Sequence, residues 1–177
     1  YCVPCSSNVV AEIDPITDKV TTFGGVSEGS YKYSGGVLAP NGKIYCMPDQ
    51  ASRIMVIDPV AKSVSYLEHD FGTQPSKYFG GVLAPNGKIY GGLLNAGSIV
   101  VIDPETDELS FIEDLPIGVH CGGVLGPDGL IYCTPMAGAT VLVVDPDTGK
   151  TSELANSPTA YGYWGAVLTP HGSIIAI

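Results

Sequence analysis

Three kinds of side chain recur in this chain at spacings that could do chemistry. Polar aromatics and lysines cluster just ahead of glycine pairs: Tyr31, Lys32 and Tyr33, then Lys77 and Tyr78, then His120, then Tyr161, Tyr163 and Trp164. Rings with a hydrogen-bonding edge are what a sugar or peptide surface needs. The competing use of such rings is to cover strand ends. A second series is Asp14, Asp58, Asp103 and Asp145, each directly before proline. Repeated carboxylates invite a calcium reading, but no calcium-loop motif accompanies them. An Asp in that position accepts backbone N–H bonds from the turn that follows, so the spacing predicts structural aspartates and no metal.

The third series is cysteine. Cys2, Cys46 and Cys133 fall at equivalent places, Tyr-Cys-x-Pro, and read as small buried thiols, whereas Cys5 and Cys121 are irregular. Five cysteines are an odd number, which argues against a complete internal disulfide framework. Cys2 and Cys5 form a C-x-x-C without a second pair for zinc or a strand-then-helix context for redox work. His69, His120 and His171 form no set, and His69-Asp70 has no nucleophile in register. No Gly-rich phosphate loop and no G-x-S-x-G occurs, and the single Arg53 offers no anion clamp.

These residues hang on a repeat. Gly35-Gly36-Val37-Leu38-Ala39-Pro40-Asn41-Gly42-Lys43-Ile44-Tyr45 returns as Gly80 to Tyr90, more loosely as Gly122 to Tyr132, and in worn form from Trp164 to Ile175. The interval is about 42–45 residues, and a period of that size marks an array of like supersecondary units. Each unit holds four short apolar runs, called A to D here. In one copy A is 80–84, B 88–93, C 98–103 and D 108–113. Asn41-Gly42, Asn86-Gly87 and Asp128-Gly129 join A to B, where Asn-Gly supplies the positive φ angles of a tight hairpin. The runs are short and β-branched with no helical period. Gly 23 and Pro 14 suit turns rather than helices.

Four antiparallel strands per unit predict an all-β fold, a β-propeller of four-stranded blades. Glycine pairs fit strand A because inner strands converge where large side chains do not fit, and Val37 and Leu38 should pack between blades. The chain reads as one propeller segment, residues 1–177. A partial blade 1 covers 1–23, and blades 2, 3 and 4 cover 35–68, 80–113 and 122–154. Closing or next-blade strands cover 164–177. Residues 173–177 and 1–3 both claim a strand B slot, so the expectation is part of a larger ring of seven or eight blades, from a fragment or a processed chain.

The pattern Gly-Gly-Val-Leu-x-Pro-x-Gly-x-Ile-Tyr followed by Ile-Asp-Pro-x-Thr resembles the blades of the YVTN/NHL-like propeller superfamily over nearly the whole chain. The resemblance implies architecture; such propellers include binding scaffolds, lectin-like modules and enzymes. With 18 acidic and 8 basic residues the formal charge is −10, which disfavours nucleic acid and anionic membrane surfaces. No apolar run is long enough for a membrane helix, so no membrane insertion is expected. The acidic, lysine-poor composition leans to an extracellular or lumenal setting. The functional expectation is a non-enzymatic scaffold for protein or glycan binding, without cofactor; bound calcium has no motif behind it. Two alternatives stand beside it: a metal-assisted, lactonase-like hydrolase, as the resemblance would admit, and a homo-oligomer or larger assembly completed by strand exchange.

Overall fold

The computed structural model describes residues 1–116, 118–137, 140–154 and 162–177. Sixteen strands follow one another among them, and no helix there is long and apolar enough to cross a membrane. β1 (Val9–Asp14) and β2 (Lys19–Gly25) pair as a hairpin, to which Cys2 adds a single bridge at Ala11. Three four-stranded antiparallel meanders come next. The first is β3 (Tyr33–Leu38), β4 (Ile44–Pro48), β5 (Met55–Asp58) and β6 (Ser63–Tyr66). The second is β7 (Tyr78–Leu83), β8 (Ile89–Leu93), β9 (Ile99–Asp103) and β10 (Glu108–Ile112). The third is β11 (Val119–Leu125), β12 (Ile131–Ala137), β13 (Leu142–Val144) and β14 (Thr151–Glu153). A last hairpin joins β15 (Ala166–Leu168) to β16 (Ile174–Ala176). The first strands of successive sheets, β3, β7, β11 and β15, lie next to one another, as the inner strands of propeller blades do.

The core lies in the layers between sheets. At β5, Val56 and the preceding Ile54 face one neighbour, while Met55 and Ile57 face the other. On β9, Val100 and Ile102 turn to one side and Ile99 and Val101 to the other. Side chains alternate across a strand, so a strand covered on both faces needs an unbroken apolar run. That is why these segments show no alternation in the sequence.

The glycine pair does two separate jobs. The first member opens a bulge: one extra residue lies on the inner strand between Tyr33 and Gly36, between Tyr78 and Gly81, and between Cys121 and Val124. Gly35, Gly80 and Gly122 take φ of 83°, 63° and 67° there, a region that penalises a side chain. The second member is a socket. A β-carbon on Gly81 would sit 3.0 Å from Val37 Cγ2, and one on Gly123 would sit 3.4 Å from Val82 Cγ2. The valine of one inner strand therefore fills the gap left by the glycine of the next.

The A–B turns differ from the expected tight hairpin. Only glycine has positive φ there, 81° at Gly42 and 80° at Gly87. Gly42 N donates to Ala39 O at 3.0 Å and Ala39 N donates to Lys43 O at 2.9 Å. This is a type I turn closed by a glycine bulge. Pro40 is the reason: its ring holds φ near −65°, which forbids a first turn residue of positive φ.

The same turns fasten blade to blade. Asn41 Nδ2 donates to the Pro104 carbonyl at 2.6 Å, and the Tyr45 hydroxyl donates to Asp107 Oδ1 at 2.6 Å. One blade on, Asn86 Nδ2 and the Tyr90 hydroxyl both donate to the Pro146 carbonyl at 2.9 Å. At the first junction Lys62, which occupies the turn position of Asp107, donates to the Tyr1 hydroxyl at 3.2 Å and to Glu12 Oε1 at 2.5 Å. The Pro-Asn-Gly-x-Ile-Tyr and Ile-Asp-Pro motifs are thus the two halves of one interblade latch. Burial and the Asp107 carboxylate push the Tyr45 phenol up to about 12, so it stays a donor throughout the physiological range.

Candidate functional site

The A–B and C–D turns occupy one end of each sheet, and the D–A and B–C segments occupy the other. At that second end the backbones are stitched together. Gln50 N donates to Tyr31 O at 2.9 Å, and Asp49 N and Ala51 N donate to Lys32 O at 2.9 and 3.1 Å. Lys32 N in turn donates to Cys5 O at 2.8 Å. Tyr31 takes φ of 52°, a reversal that carries the chain from the loop into β3 and turns Lys32 inward. Asp49 reaches further: its Oδ1 accepts the Ser76 backbone N–H at 2.6 Å, tying this loop pair to the next D–A segment.

Between these loops lies a cavity of about 550 Å³, lined by Ser27, Glu28, Gly29, Ser30, Lys32, Tyr33, Gln50, Ala51, Ser52, Arg53, Tyr66 and Thr73. Lys32 is buried, and its ammonium donates to Gly29 O at 2.8 Å. The Arg53 guanidinium is half-exposed and, among the described residues, meets the exposed carboxylate of Glu68 at 3.9 Å. Exposed pairs of that length add little, so the guanidinium is available to another anion.

The same frame recurs one blade later. Ser76 has φ of 57° where Tyr31 has 52°, and the Lys77 ammonium donates to Gln74 O at 2.8 Å. Its surroundings differ. Asp49 and Asp70 carry opposite charge nearby, yet burial outweighs them and lowers the Lys77 pKa. His69, Phe71 and Phe111 crowd the cavity there, with His69 and Phe71 ring centroids 4.5 Å apart and the volume reduced to about 320 Å³.

The remaining predicted residues separate into buried and exposed sets. Tyr33 and Tyr78 are core residues at 3% and 2% exposure, and burial raises both phenol pKa values, that of Tyr33 strongly. Tyr78 also meets Phe71 edge-on at 5.6 Å. His120 is 2% exposed and donates from Nε2 to Thr140 O at 3.0 Å. Such burial leaves these three rings little surface for a ligand. Tyr31 is exposed, Tyr163 is half-buried, and Trp164 is exposed with its indole edge-on to Phe79 at 6.0 Å. Tyr161 lies outside the described residues.

The aspartates before proline accept from the turns that follow them. Asp14 Oδ1 takes Ile16 N at 2.9 Å, Asp58 Oδ1 takes Val60 N at 2.9 Å, Asp103 Oδ1 takes Glu105 N at 3.1 Å, and Asp145 Oδ1 takes Asp147 N at 2.9 Å. Asp128, in the place of Asn41 and Asn86, accepts from the Tyr132 hydroxyl at 2.6 Å and from Leu130 N at 3.2 Å. Among the described residues no three His, Cys, Asp or Glu side chains converge as a metal site. The cysteine expectation needs one correction. Cys46 and Cys133 are buried, with thiols pushed up to about 12, but Cys2 is exposed, and Cys121, expected to be irregular, is fully buried. Cys2 makes only an isolated bridge at the margin of the first hairpin, whereas Cys46 and Cys133 sit in layers covered on both sides.

His120 yields a pH prediction. Burial lowers its pKa, so the unfolded chain takes up a proton before the folded one does. Stability from this group is full above about pH 6.5, the ordinary imidazole value, and declines as pH falls below it. Urea midpoints measured between pH 7.5 and 5 should drop more steeply for the parent than for His120→Gln. Equal slopes would show that another group governs the decline.

Sequence reasoning set Arg53 aside as no anion clamp and missed Asp49; the structure places Arg53 at the cavity of Lys32. Arg53 stands where the next repeat has Ser98, and such a difference between near-identical repeats was the available signal.

No protein-family model matches this chain, and no curated protein matches it by sequence. Solved structures do match it in three dimensions. Virginiamycin B lyase from Staphylococcus aureus superposes with a TM-score of 0.78 at 18% identity, over 96% of this chain and 56% of its own. A periplasmic gluconolactonase from Pseudomonas aeruginosa gives 0.65 at 14% identity, over 95% and 56%. An auxiliary nutrient binding protein from Bacteroides ovatus gives 0.60 at 18% identity, over 86% and 38%. The chain thus spans about half the length of the structures it matches or less. The neighbours are propeller-type proteins, and the fold of this chain is that of a β-propeller. They include lyase and lactonase enzymes as well as a binding protein, so the likeness fixes the fold and leaves the activity to the site.

Proposed function

We propose that this chain is part of a larger propeller, of seven or eight blades, that serves as a non-enzymatic binding module for a glycan or protein. One observation carries the reading. The loop-end cavity beside Lys32 has the volume of a small-ligand site and is lined by hydroxyls, an amide, the Tyr66 ring and the charged Glu28, Lys32 and Arg53. Such groups can hydrogen-bond and ion-pair with a polar ligand. The aspartates before proline, Asp107, Asp128 and the Lys62–Glu12 pair are engaged in turns and latches, which supports a scaffold over an enzyme. The metal-assisted hydrolase alternative needs converging carboxylates or imidazoles, and the described residues offer no such set.

The test is an array of glycans and peptides probed with the purified chain, beside a lactone-hydrolysis assay with and without added divalent cations. The expected result is retention on one ligand class and no metal-dependent turnover. Turnover that requires the metal would replace this reading with the hydrolase. Absence of any retained ligand, together with a defined oligomer in solution, would replace it with assembly by strand exchange.

A further inference from the structure

We propose that the cavity beside Lys32 is a carboxylate-selective site, and that its ligand is an acidic sugar such as a uronate unit of a polysaccharide. The inference rests on the binding-module reading and names its ligand class.

The basic residues carry the first part of the argument. The chain has only 8 lysines and arginines against 18 acids, yet its one arginine and a buried lysine line the same cavity, where Glu28 is the single acid, so cations outnumber anions there two to one. Lys32 spends one of its three ammonium donors on Gly29 O. Its backbone is held on both sides, by Cys5 O and by the Asp49 and Ala51 amides, and its stem lies over Gly29. The ammonium is therefore placed before any ligand arrives, which lowers the ordering cost of binding. The Arg53 guanidinium is positioned at the same cavity, where among the described residues its partner is Glu68 at 3.9 Å. A planar guanidinium and a fixed ammonium together suit a carboxylate.

Comparison of the repeats supplies a second, independent argument. Lys32 and Lys77 are equivalent and make the same bond to a carbonyl three residues earlier. At blade 3, however, Asp49 and Asp70 lie near the lysine, serine replaces the arginine, and aromatic rings narrow the space. Blade 2 keeps the frame and adds a cation and volume, with Glu28 in the place of Thr73 as the one added acid. Residues that depart from an otherwise shared frame serve something other than the frame. The hydroxyls of Ser27, Ser52 and Thr73 and the Gln50 amide match the many hydroxyls of a sugar, and the Tyr66 ring offers a face for its C–H surface. The overall charge of −10 slows the approach of an anion but is largely screened beyond about 8 Å at physiological salt, so it does not cancel a contact at the site.

Calorimetric titration of the chain with galacturonate, galactose and N-acetylglycine separates the possibilities. Galacturonate should bind at least roughly tenfold more tightly than the other two, as loss of a charge-assisted contact implies. Arg53→Ser, which installs the blade 3 residue, should weaken galacturonate by roughly tenfold and leave the thermal midpoint unchanged. Lys32→Met should do the same, with its midpoint measured alongside to report folding. Equal binding of galactose would overturn charge selectivity while leaving the module reading intact. Equal binding of N-acetylglycine would overturn the sugar assignment in favour of a peptide carboxylate. No binding of galacturonate, or an unaltered affinity in Arg53→Ser, would sink the proposal, and the array result then decides the module reading separately.

Discussion

Gly92→Ala is expected to destabilise the chain by about 3 kcal/mol, whereas Gly25→Ala should leave stability essentially unchanged. A β-carbon on Gly92 would lie 2.3 Å from the Phe79 carbonyl oxygen and 2.9 Å from Gly122 Cα. Both obstacles are backbone, and both belong to inner strands, β7 and β11, that cannot separate without opening the interblade layer. No rotamer change relieves such a contact. Gly25 sits in a strand as well, but nothing lies within 4 Å of its would-be side chain. The comparison therefore isolates close approach from the general cost of glycine in strands. At roughly 2–4 °C per kcal/mol for a chain of this size, calorimetry should show the Gly92 variant about 10 °C below the parent. A shift of only a degree or two would mean that the inner strands are more loosely packed than the structure describes.

The second large effect should come from the latch between blades 3 and 4. Tyr90→Phe and Asn86→Ala are each expected to cost about 1 kcal/mol, because either donor alone still satisfies the Pro146 carbonyl. The double variant should cost about 3 kcal/mol, more than the sum. Pro146 is buried, and with both donors gone its carbonyl has lost both side-chain partners. The effect should be cooperative in a double-mutant cycle followed by urea unfolding. Strict additivity would show that the two side chains do not share the carbonyl as a common acceptor. The corresponding Asn41 and Tyr45 pair has a second acceptor in Asp107, whose carboxylate is exposed and is solvated once the hydroxyl is gone, so its double variant should cost no more.

These two results would also explain which repeated residues are read by the fold. The near-identity of residues 35–45 and 80–90 reflects a junction made over and over: a glycine bulge, a glycine socket, a turn proline, and an Asn and Tyr that reach the next blade. Residues outside that junction are free to vary between repeats. Arg53 against Ser98, and Tyr66 against Phe111, are such variations, and both line loop-end cavities.

The sequence by itself determined the all-β class, the propeller architecture, the strand order within each unit and the turn role of the aspartates before proline. The reason is that these depend on short-range chemistry. A 42–45-residue period, β-branched runs of four to six residues and Pro-containing turns act within one unit, and repetition writes the same message several times. Only the tertiary structure decided what depends on neighbouring blades. It placed Tyr33, Tyr78 and His120 inside the interblade layers, although their position before a strand suggested an open mouth. It made the A–B turn a residue longer than Asn-Gly alone implies, because Pro40 dictates the first turn position. It joined Asn41 and Tyr45 to a turn about 60 residues away, and it brought Arg53 to the cavity of Lys32. Side chains that meet across a blade boundary, or across loops folded onto each other, leave no spacing rule in the chain. Their partners are chosen by the stacking of sheets, which the sequence sets only through the sum of its packing.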